Sequence, residues 1–204
     1  MKVLLINGSP HKGGNTYDAL SEVARTLHDE GIETEIAWIG NRAIRSCIAC
    51  NMCKTKADGQ CTFSDDICNT MIDKLRESDG IIVGSPVYFG VPNGGVLSLM
   101  QRMFYAAGSE AQNKPAAAVV ICRRGGASAS FQTLTMPFQM LNMPVVTSQY
   151  WNMVYGRVPG EAEQDAEGMQ TMRTLAHNMA WMLRSLKREE VPAREQWQAT
   201  NFIR

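Results

Sequence analysis

The sequence predicts an α/β protein built on a five-stranded parallel sheet with helices on both faces. Three observations support this class: short apolar segments alternate with amphipathic ones, most of these apolar segments lack polar–apolar alternation, and no repeat or linker divides the chain. Right-handed crossovers return each intervening helix to the sheet. The 204 residues are therefore expected to form one domain.

Five segments are predicted as strands. The second, residues 32–38, alternates apolar and polar side chains, which is typical of an edge strand with one wet face. The others are apolar throughout, which is typical of strands covered on both faces. These are residues 3–6, 81–83, 116–122 and 145–148. With the second strand at the edge, the order 2-1-3-4-5 of a flavodoxin-like three-layer sandwich fits best.

Each strand is followed by a segment with the apolar spacing of a helix. The first helix is expected to begin at Asn15 or Thr16, which are favourable N-caps, and to end before Gly31. The second is expected to begin near Asp65 or Asp66. Three more are predicted over residues 94–107, 128–141 and 162–186. The methionine stripe of the last one is expected in the core or at a subunit interface.

Charge and composition exclude several functional classes. The chain has 20 basic and 20 acidic side chains, whereas binding to nucleic acid or an anionic membrane needs a basic excess. Its apolar runs are shorter than the roughly 20 residues of a membrane span, and the N-terminal one is too short for a signal peptide. We therefore expect a cytoplasmic protein that binds neither nucleic acid nor membrane.

A loop of small residues connects the first strand to the first helix. It reads Gly8-Ser9-Pro10-His11-Lys12-Gly13-Gly14-Asn15-Thr16. Backbone N–H groups with short hydroxyl and amide side chains at a helix start suit a phosphate group. The loop is neither a Walker A motif nor a Rossmann fingerprint, because its glycine spacing matches neither. On its own it is equally consistent with a glycine-rich turn.

A second loop, after the third strand, carries two adjacent aromatic residues. It reads Ser85-Pro86-Val87-Tyr88-Phe89-Gly90-Val91-Pro92-Asn93-Gly94. A flat ligand can lie beside such aromatics, although either one alone is also consistent with a cap on the core. The carboxyl ends of the first and third strands meet at the switch point of this fold, so both loops are expected to line one cleft.

Together the two loops resemble those of the NADPH-dependent FMN reductase group of flavodoxin-like proteins, and the element order matches over nearly the whole chain. The resemblance implies an FMN-binding domain over residues 1–204, with the phosphate on Ser9, Asn15 and Thr16 and the isoalloxazine on residues 86–90. It also places Arg123 or Arg124 beside the pyrimidine ring, where an arginine would stabilise negative charge. The residues assigned to the cofactor are Ser9, His11, Lys12, Gly14, Asn15, Thr16, Pro86, Val87, Tyr88, Phe89, Gly90, Arg124, Gly125 and Gly126.

The resemblance further implies an oxidoreductase that passes electrons from NAD(P)H through FMN to a quinone, a flavin or another small acceptor. The flavin carries the chemistry, so no catalytic side chain is expected. Relatives of this group pair into homodimers that complete the flavin pocket, and residues 151–157 and the last helix are candidate surfaces. The chain departs from the family at Ser98 and Gln101-Arg102, where relatives often carry a lysine and an Asp-Arg pair.

Four cysteines form the sharpest local pattern of the sequence. Cys47, Cys50, Cys53 and Cys61 lie in a loop at about residues 40–64. Three thiols at successive intervals of three residues can wrap one [4Fe-4S] cluster, with the fourth completing it. A metal-free set of thiols is the other open interpretation. Zinc fits less well, because only the first spacing matches a zinc-binding pair.

The cysteine spacing resembles that of the iron-sulfur flavoprotein branch of the same family. This implies a second functional hypothesis, in which a [4Fe-4S] cluster relays electrons from a ferredoxin-like protein to FMN. Cys68 and Cys122 are predicted to be buried small hydrophobes. The apolar C-terminal residues 198–204 are expected to dock on the domain or on a partner chain.

Overall fold

Five parallel strands and six helices alternate along the chain in the computed structural model, which describes residues 1–186, 190–193, 195–196, 198 and 200. The predicted docking of residues 198–204 falls mostly outside the described residues, which include 198 and 200 but not 199 or 201–204. The strands are β1 (Lys2–Asn7), β2 (Glu33–Trp38), β3 (Gly80–Tyr88), β5 (Ala116–Cys122) and β6 (Met153–Tyr155), with a short antiparallel β4 (Val91–Pro92). The helices are α1 (Asn15–Asp29), α2 (Met52–Lys56), α3 (Cys68–Arg76), α4 (Gly94–Ala111), α5 (Ala127–Met140) and α6 (Ala166–Ser185).

The sheet has the order β2-β1-β3-β5-β6, and all of these neighbours are parallel. Counting only the parallel strands, this is the predicted order 2-1-3-4-5, with the alternating strand at one edge. Strand β4 pairs with β3, through Val87 opposite Pro92 and Tyr88 opposite Val91. The predicted α/β sandwich is therefore confirmed.

The core has two halves, one on each face of the sheet, because successive strand residues point to opposite sides. Leu4 and Ile6 of β1 pack in the half covered by α3, α4 and α5. Val3 and Leu5 pack in the half covered by α1 and α6. The stripe of α6 that carries Met172 and Met179 is buried in this second half, so the core interpretation of these methionines is confirmed.

The last parallel strand lies farther along the chain than predicted. Residues 145–148 make only an isolated bridge, between Val145 and Ala116, and the strand resumes at β6. The reason is hydrogen bonding to α6: the carbonyl of Thr147 accepts from Asn178 Nδ2 at 2.8 Å, and Ser148 Oγ donates to the carbonyl of Thr171 at 2.8 Å. Thr147 and Ser148 are thus held by a helix, and the chain rejoins the sheet after Asn152.

The ends of α1 gave one correct and one wrong prediction. Gly31 has φ +74°, its N–H donates to the carbonyl of His28 at 2.8 Å, and Ile32 N–H donates to Leu27 at 2.9 Å. These two bonds form a Schellman motif. At the other end Gly14, rather than Asn15 or Thr16, is the N-cap.

No helix among the described residues combines the length and apolar composition needed to cross a membrane.

Candidate functional site: a cleft at the carboxyl edge of the sheet and a cysteine pocket beside it

A cleft of about 500 Å³ opens where the parallel strands end, within the range of small-molecule sites. Four loops line it, following β1, β3, β5 and β6. Their contributing residues are Ser9, His11, Gly13, Gly14, Asn15, Thr16, Pro86, Val87, Tyr88, Ile121, Cys122, Arg123, Gly156, Arg157 and Pro159. A cavity of about 610 Å³ lies at the opposite edge, next to Asn113 and Asn142, away from the carboxyl ends where ligands of this fold class bind.

The loop after β1 is shaped by Asn7, a fully buried side chain that the sequence analysis did not single out. Asn7 Oδ1 accepts from Ser9 N–H at 3.1 Å, and its Nδ2 donates to the carbonyl of Lys12 at 3.2 Å. Gly8 fits beneath this loop because a Cβ there would stand 2.5 Å from the carbonyl oxygen of Gly84. The loop is thus held from inside the sheet, and Ser9 and His11 reach the cleft while Lys12 does not line it.

The start of α1 is open to an anion. No side chain among the described residues caps it, so its first backbone N–H groups keep the positive end of the helix dipole available. Ideal Cβ atoms on Gly13 and Gly14 would meet no atom within 4 Å, which marks free space beside the helix start. Asn15 Oδ1 instead accepts from the backbone N–H of Ala162 at 3.1 Å and so ties the loop after β6 to the cleft.

The aromatic loop is a tight hairpin of β3 and β4. Phe89 and Gly90 form its turn with φ of +51° and +83°, as in a type I′ turn. Pro86, Val87 and Tyr88 line the cleft, but Phe89 is fully exposed at the tip, and neither it nor Gly90 lines the cleft. Of the five residues 86–90 that the resemblance assigns to the isoalloxazine, the first three therefore line the cleft.

The loop after β5 supplies a cation to the cleft. Arg123, Arg124 and Gly125 are all exposed; Arg123 lines the cleft, whereas Arg124 and Gly125 do not. Gly126 supports the hairpin instead: a Cβ there would lie 2.7 Å from Gly90 Cα and 2.8 Å from Val87 Cγ1.

Arg157 also lines the cleft, and the sequence analysis missed it because it placed the last strand too early. The loop that carries it is closed by Glu161, whose carboxylate accepts from the N–H groups of Arg157 at 2.6 Å and Val158 at 3.0 Å. These two bonds, aided by the charges of Arg157 and Arg123, lower the pKa of Glu161. The described cleft thus combines an uncapped helix start, apolar hairpin residues and two arginines.

The four clustered cysteines line a second, small pocket against α4. All are free thiols; Cys53 is buried and Cys50 is exposed. Ala49 and Asn51 on either side of Cys50 have φ of +53° and +58°, which is uncommon for residues other than glycine, and Cys47, Cys50 and Cys53 all line the pocket. No three of the described His, Cys, Asp and Glu side chains are arranged to hold a single metal ion.

The remaining two cysteines are buried, as predicted. Burial raises the pKa of Cys68 to about 12, so this thiol stays protonated. Burial also raises the pKa of Cys122, at the end of β5, where the side chain lines the cleft. A raised pKa makes both thiols poor nucleophiles at neutral pH.

The chain is similar in sequence to one protein family and to several known flavoproteins. The NADPH-dependent FMN reductase family matches residues 1–157. An iron-sulfur flavoprotein of Methanocaldococcus jannaschii is 35% identical over 196 residues, covering 92% of this chain and 100% of the relative. An iron-sulfur flavoprotein of Methanosarcina thermophila is 29% identical over 193 residues, covering 92% and 98%.

Solved structures share the fold at low sequence identity. RosB with the bound intermediate 8-demethyl-8-formylriboflavin-5′-phosphate superposes with a TM-score of 0.70 at 17% identity, covering 100% of this chain and 94% of RosB. A flavodoxin from the domain Archaea gives a TM-score of 0.60 at 13% identity, covering 90% and 99%. These neighbours confirm the flavodoxin-like fold.

Proposed function

Since this chain belongs to the NADPH-dependent FMN reductase and iron-sulfur flavoprotein family, we propose that it is an FMN-dependent oxidoreductase that takes electrons from NAD(P)H and delivers them to a quinone, a flavin or another small acceptor. The observation that carries the proposal is the four-loop cleft at the carboxyl edge of the sheet, with an anion-ready helix start and an apolar hairpin.

The residues of the cleft fit FMN in shape and in charge. The Ser9 hydroxyl and the first N–H groups of α1 would hold the phosphate, in the free space beside Gly13 and Gly14. Residues 86–88 would lie along the flavin ring. When bound, FMN would supply the exchange of electrons between the nicotinamide and the acceptor.

The chain's own residues would contribute position and electrostatics. Arg123 places a permanent positive charge at the strand end, where it would stabilise negative charge on the ring. Gly126 lets the hairpin pack closely and so fixes Val87 against the cleft. Asn15 holds the loop of Arg157 in place. Because FMN would carry the chemistry, no protein nucleophile or general acid is required.

The proposal is tested on the full chain purified without oxygen. The absorption spectrum and the FMN content per chain are measured first, followed by oxidation of NADH and NADPH with a quinone and with free flavin as acceptors. We expect one FMN-type flavin per chain and turnover with at least one nicotinamide. A protein that binds no flavin after incubation with FMN contradicts the whole proposal.

A second candidate function is electron transfer through an iron-sulfur centre, and the shared pocket of Cys47, Cys50, Cys53 and Cys61 favours it. Cysteine ligands of a [4Fe-4S] cluster each bind a different iron, so they stand farther apart than the ligands of one ion. Four free thiols around an otherwise largely apolar pocket fit such a group in donor chemistry. The relatives named above are iron-sulfur flavoproteins.

Iron and sulfide analysis separates the two candidates. In the second one, a cluster held by the four cysteines would exchange electrons with a ferredoxin-like protein. Iron and sulfide with rapid reduction by a ferredoxin, and no oxidation of NAD(P)H, supports the carrier. Turnover of NAD(P)H by a protein with flavin and without iron supports the reductase and excludes the cluster.

We also propose that the protein is a homodimer, as its family resemblance implies. Tyr150 and Trp151 are exposed, and their rings lie against each other, tilted by 55° with centroids 5.0 Å apart, just before the edge strand β6. Exposed aromatic clusters of this kind mark protein interfaces. Light scattering after gel filtration gives the molar mass, and Trp151→Asp should shift a dimer towards monomer. A wild-type monomer at micromolar concentration contradicts the proposal.

A further inference from the structure

Arg102, in the middle of α4, is the largest fully buried side chain among the described residues and lies against the cysteine pocket. Its Nε–H donates to Cys61 Sγ at 3.2 Å. One terminal nitrogen donates to the Asp66 carboxylate and, at 3.2 Å, to the carbonyl of Arg45; the other donates to the carbonyl of Phe63 at 3.0 Å. The guanidinium is therefore fixed on every side.

We infer that Arg102 is a positioning residue of the cysteine pocket: its hydrogen bond to Cys61 Sγ, fixed by Asp66 and two backbone carbonyls, sets that sulfur in place to ligate a cluster with the other three thiols. The inference rests on the iron-sulfur candidate of the proposed function and adds to it a residue that binds no metal and that the cysteine motif does not include.

The geometry selects arginine over lysine at this position. A guanidinium offers five N–H donors in a rigid fork, whereas an ammonium is a point charge with three donors on a flexible stem. Here the fork serves a sulfur, a carboxylate and two carbonyls from both limbs of the loop, before Cys47 and after Cys61. A positive charge beside a thiolate ligand also offsets the negative charge that a cluster brings.

The contacts of α4 with the loop continue along the same helix face. Ser98 Oγ lies 2.9 Å from Ser46 Oγ, and the Tyr105 hydroxyl donates to Asn51 Oδ1 at 2.6 Å. Residues 98, 102 and 105 are spaced to share one face of a helix. This face of α4 holds the cysteine loop at three points: next to Cys47, next to Cys50 and at Cys61. Of its three residues, Arg102 contacts a sulfur atom.

Donors to cluster sulfurs raise the reduction potential of iron-sulfur centres, because they stabilise the more negative reduced form. Removal of Arg102 should therefore lower the midpoint potential. The test variants are Arg102→Lys, and Arg102→Gln combined with Asp66→Asn so that no buried carboxylate is left without its partner. The matched control combines Arg76→Gln with Glu110→Gln, because Arg76 also donates to the loop, at Asp58 O, but none of its hydrogen bonds among the described residues reaches a cysteine.

The measurements are iron, sulfide and FMN per chain, the midpoint potential of the iron-sulfur signal, and amide hydrogen exchange of the metal-free chain. We expect a lower potential and reduced iron content in the Gln/Asn variant, partial rescue in Arg102→Lys, and wild-type values in the control, with FMN content unchanged in all. Wild-type potential and iron content in both Arg102 variants, or an equal shift in the control, overturns the inference.

Failure of the proposed cluster is distinguishable from failure of this inference. If the wild type carries FMN but no iron after reconstitution with iron and sulfide, the iron-sulfur candidate fails. The exchange measurement then decides the role of Arg102. Faster exchange over residues 61–68 in the Arg102 variants but not in the control supports positioning of Cys61, and unchanged exchange contradicts it.

Discussion

The cleft and the cysteine pocket lie beside the same sheet but are built in different ways. The cleft is made by turns at strand ends, where Gly8 and Gly126 permit close backbone approach. The cysteine pocket is made by a long loop held to α4 by side chains, above all by the buried Arg102. The cleft therefore depends on fold topology, whereas the cysteine pocket depends on single side chains. We expect substitutions to affect one of the two sites without the other.

The largest effect is expected from Arg102→Met, which leaves the Asp66 carboxylate buried without its partner. Breaking a buried ion pair in this way costs about 3–5 kcal/mol of unfolding free energy. Urea denaturation measures the loss. Adding Asp66→Asn should recover most of it, because the neutral amide no longer needs a counter-ion. A loss below about 1 kcal/mol in Arg102→Met would show that the pair does not hold the loop.

The same pair predicts a dependence on pH. Burial opposes the charge on Asp66, but hydrogen bonds from Arg102 and from Cys68 N–H outweigh it and lower the pKa of the carboxyl. The stabilisation from the ionised Asp66 carboxylate is complete above the pKa of this group in the unfolded chain, about 3.9. It is lost as the pH falls through the lower pKa of the group in the folded chain. Denaturation of the wild type and Asp66→Asn between about pH 6 and about pH 2 should show their difference shrinking at the acid end.

A smaller effect, confined to the cleft, is expected from Gly126→Ala. The residue has φ +88°, and its new Cβ would stand 2.7 Å from Gly90 Cα. The left-handed conformation alone costs roughly 1–2 kcal/mol, and the hairpin must also shift. We expect weaker FMN binding, measured by fluorescence titration. Gly94→Ala is the control, since a Cβ there meets no atom within 4 Å; equal loss of binding in both variants would contradict the assigned role of Gly126.

A still smaller effect separates the two arginines after β5. Arg123 lines the cleft and Arg124 does not, so Arg123→Gln should lower kcat/KM for NAD(P)H about threefold to tenfold, or roughly 1 kcal/mol of transition-state stabilisation. Arg124→Gln should remain near the wild type. Steady-state kinetics on FMN-loaded protein measures both variants. A larger loss of kcat/KM in Arg124→Gln than in Arg123→Gln would assign the stabilising role to Arg124.

The sequence predicts the cleft better than the cysteine pocket, for a physical reason. Loops that follow β1 and β3 must meet at the sheet's switch point, so Ser9 and Tyr88 can be placed together before any coordinates exist. The hairpin turn is less accessible to prediction, because the first of its two left-handed residues, Phe89, is not a glycine. Arg157 was missed because the chain bonds to α6 at Thr147 and Ser148 before the last strand forms.

The cysteine spacing indicates a shared pocket, but the partners of that pocket lie far away along the chain. Arg102 is 41 residues from Cys61, and no local periodicity relates the two. A signal was nevertheless present. Arginine at a position between the buried Leu99 and Met103 of an apolar helix predicts a buried partner, because an unpaired buried charge is too costly.

The smallest effect is expected from Arg76→Gln, which tests whether every arginine near the cysteine loop matters equally. Arg76 pairs with Asp73 and Glu110 and donates to Asp58 O, but it is partly exposed. Solvent screens such pairs, so the loss should be about 0.5–1 kcal/mol in urea denaturation, several-fold less than for Arg102→Met. A loss as large as that of Arg102→Met would show that the contacts of Arg76 stabilise the cysteine loop as much as the contacts of Arg102 do.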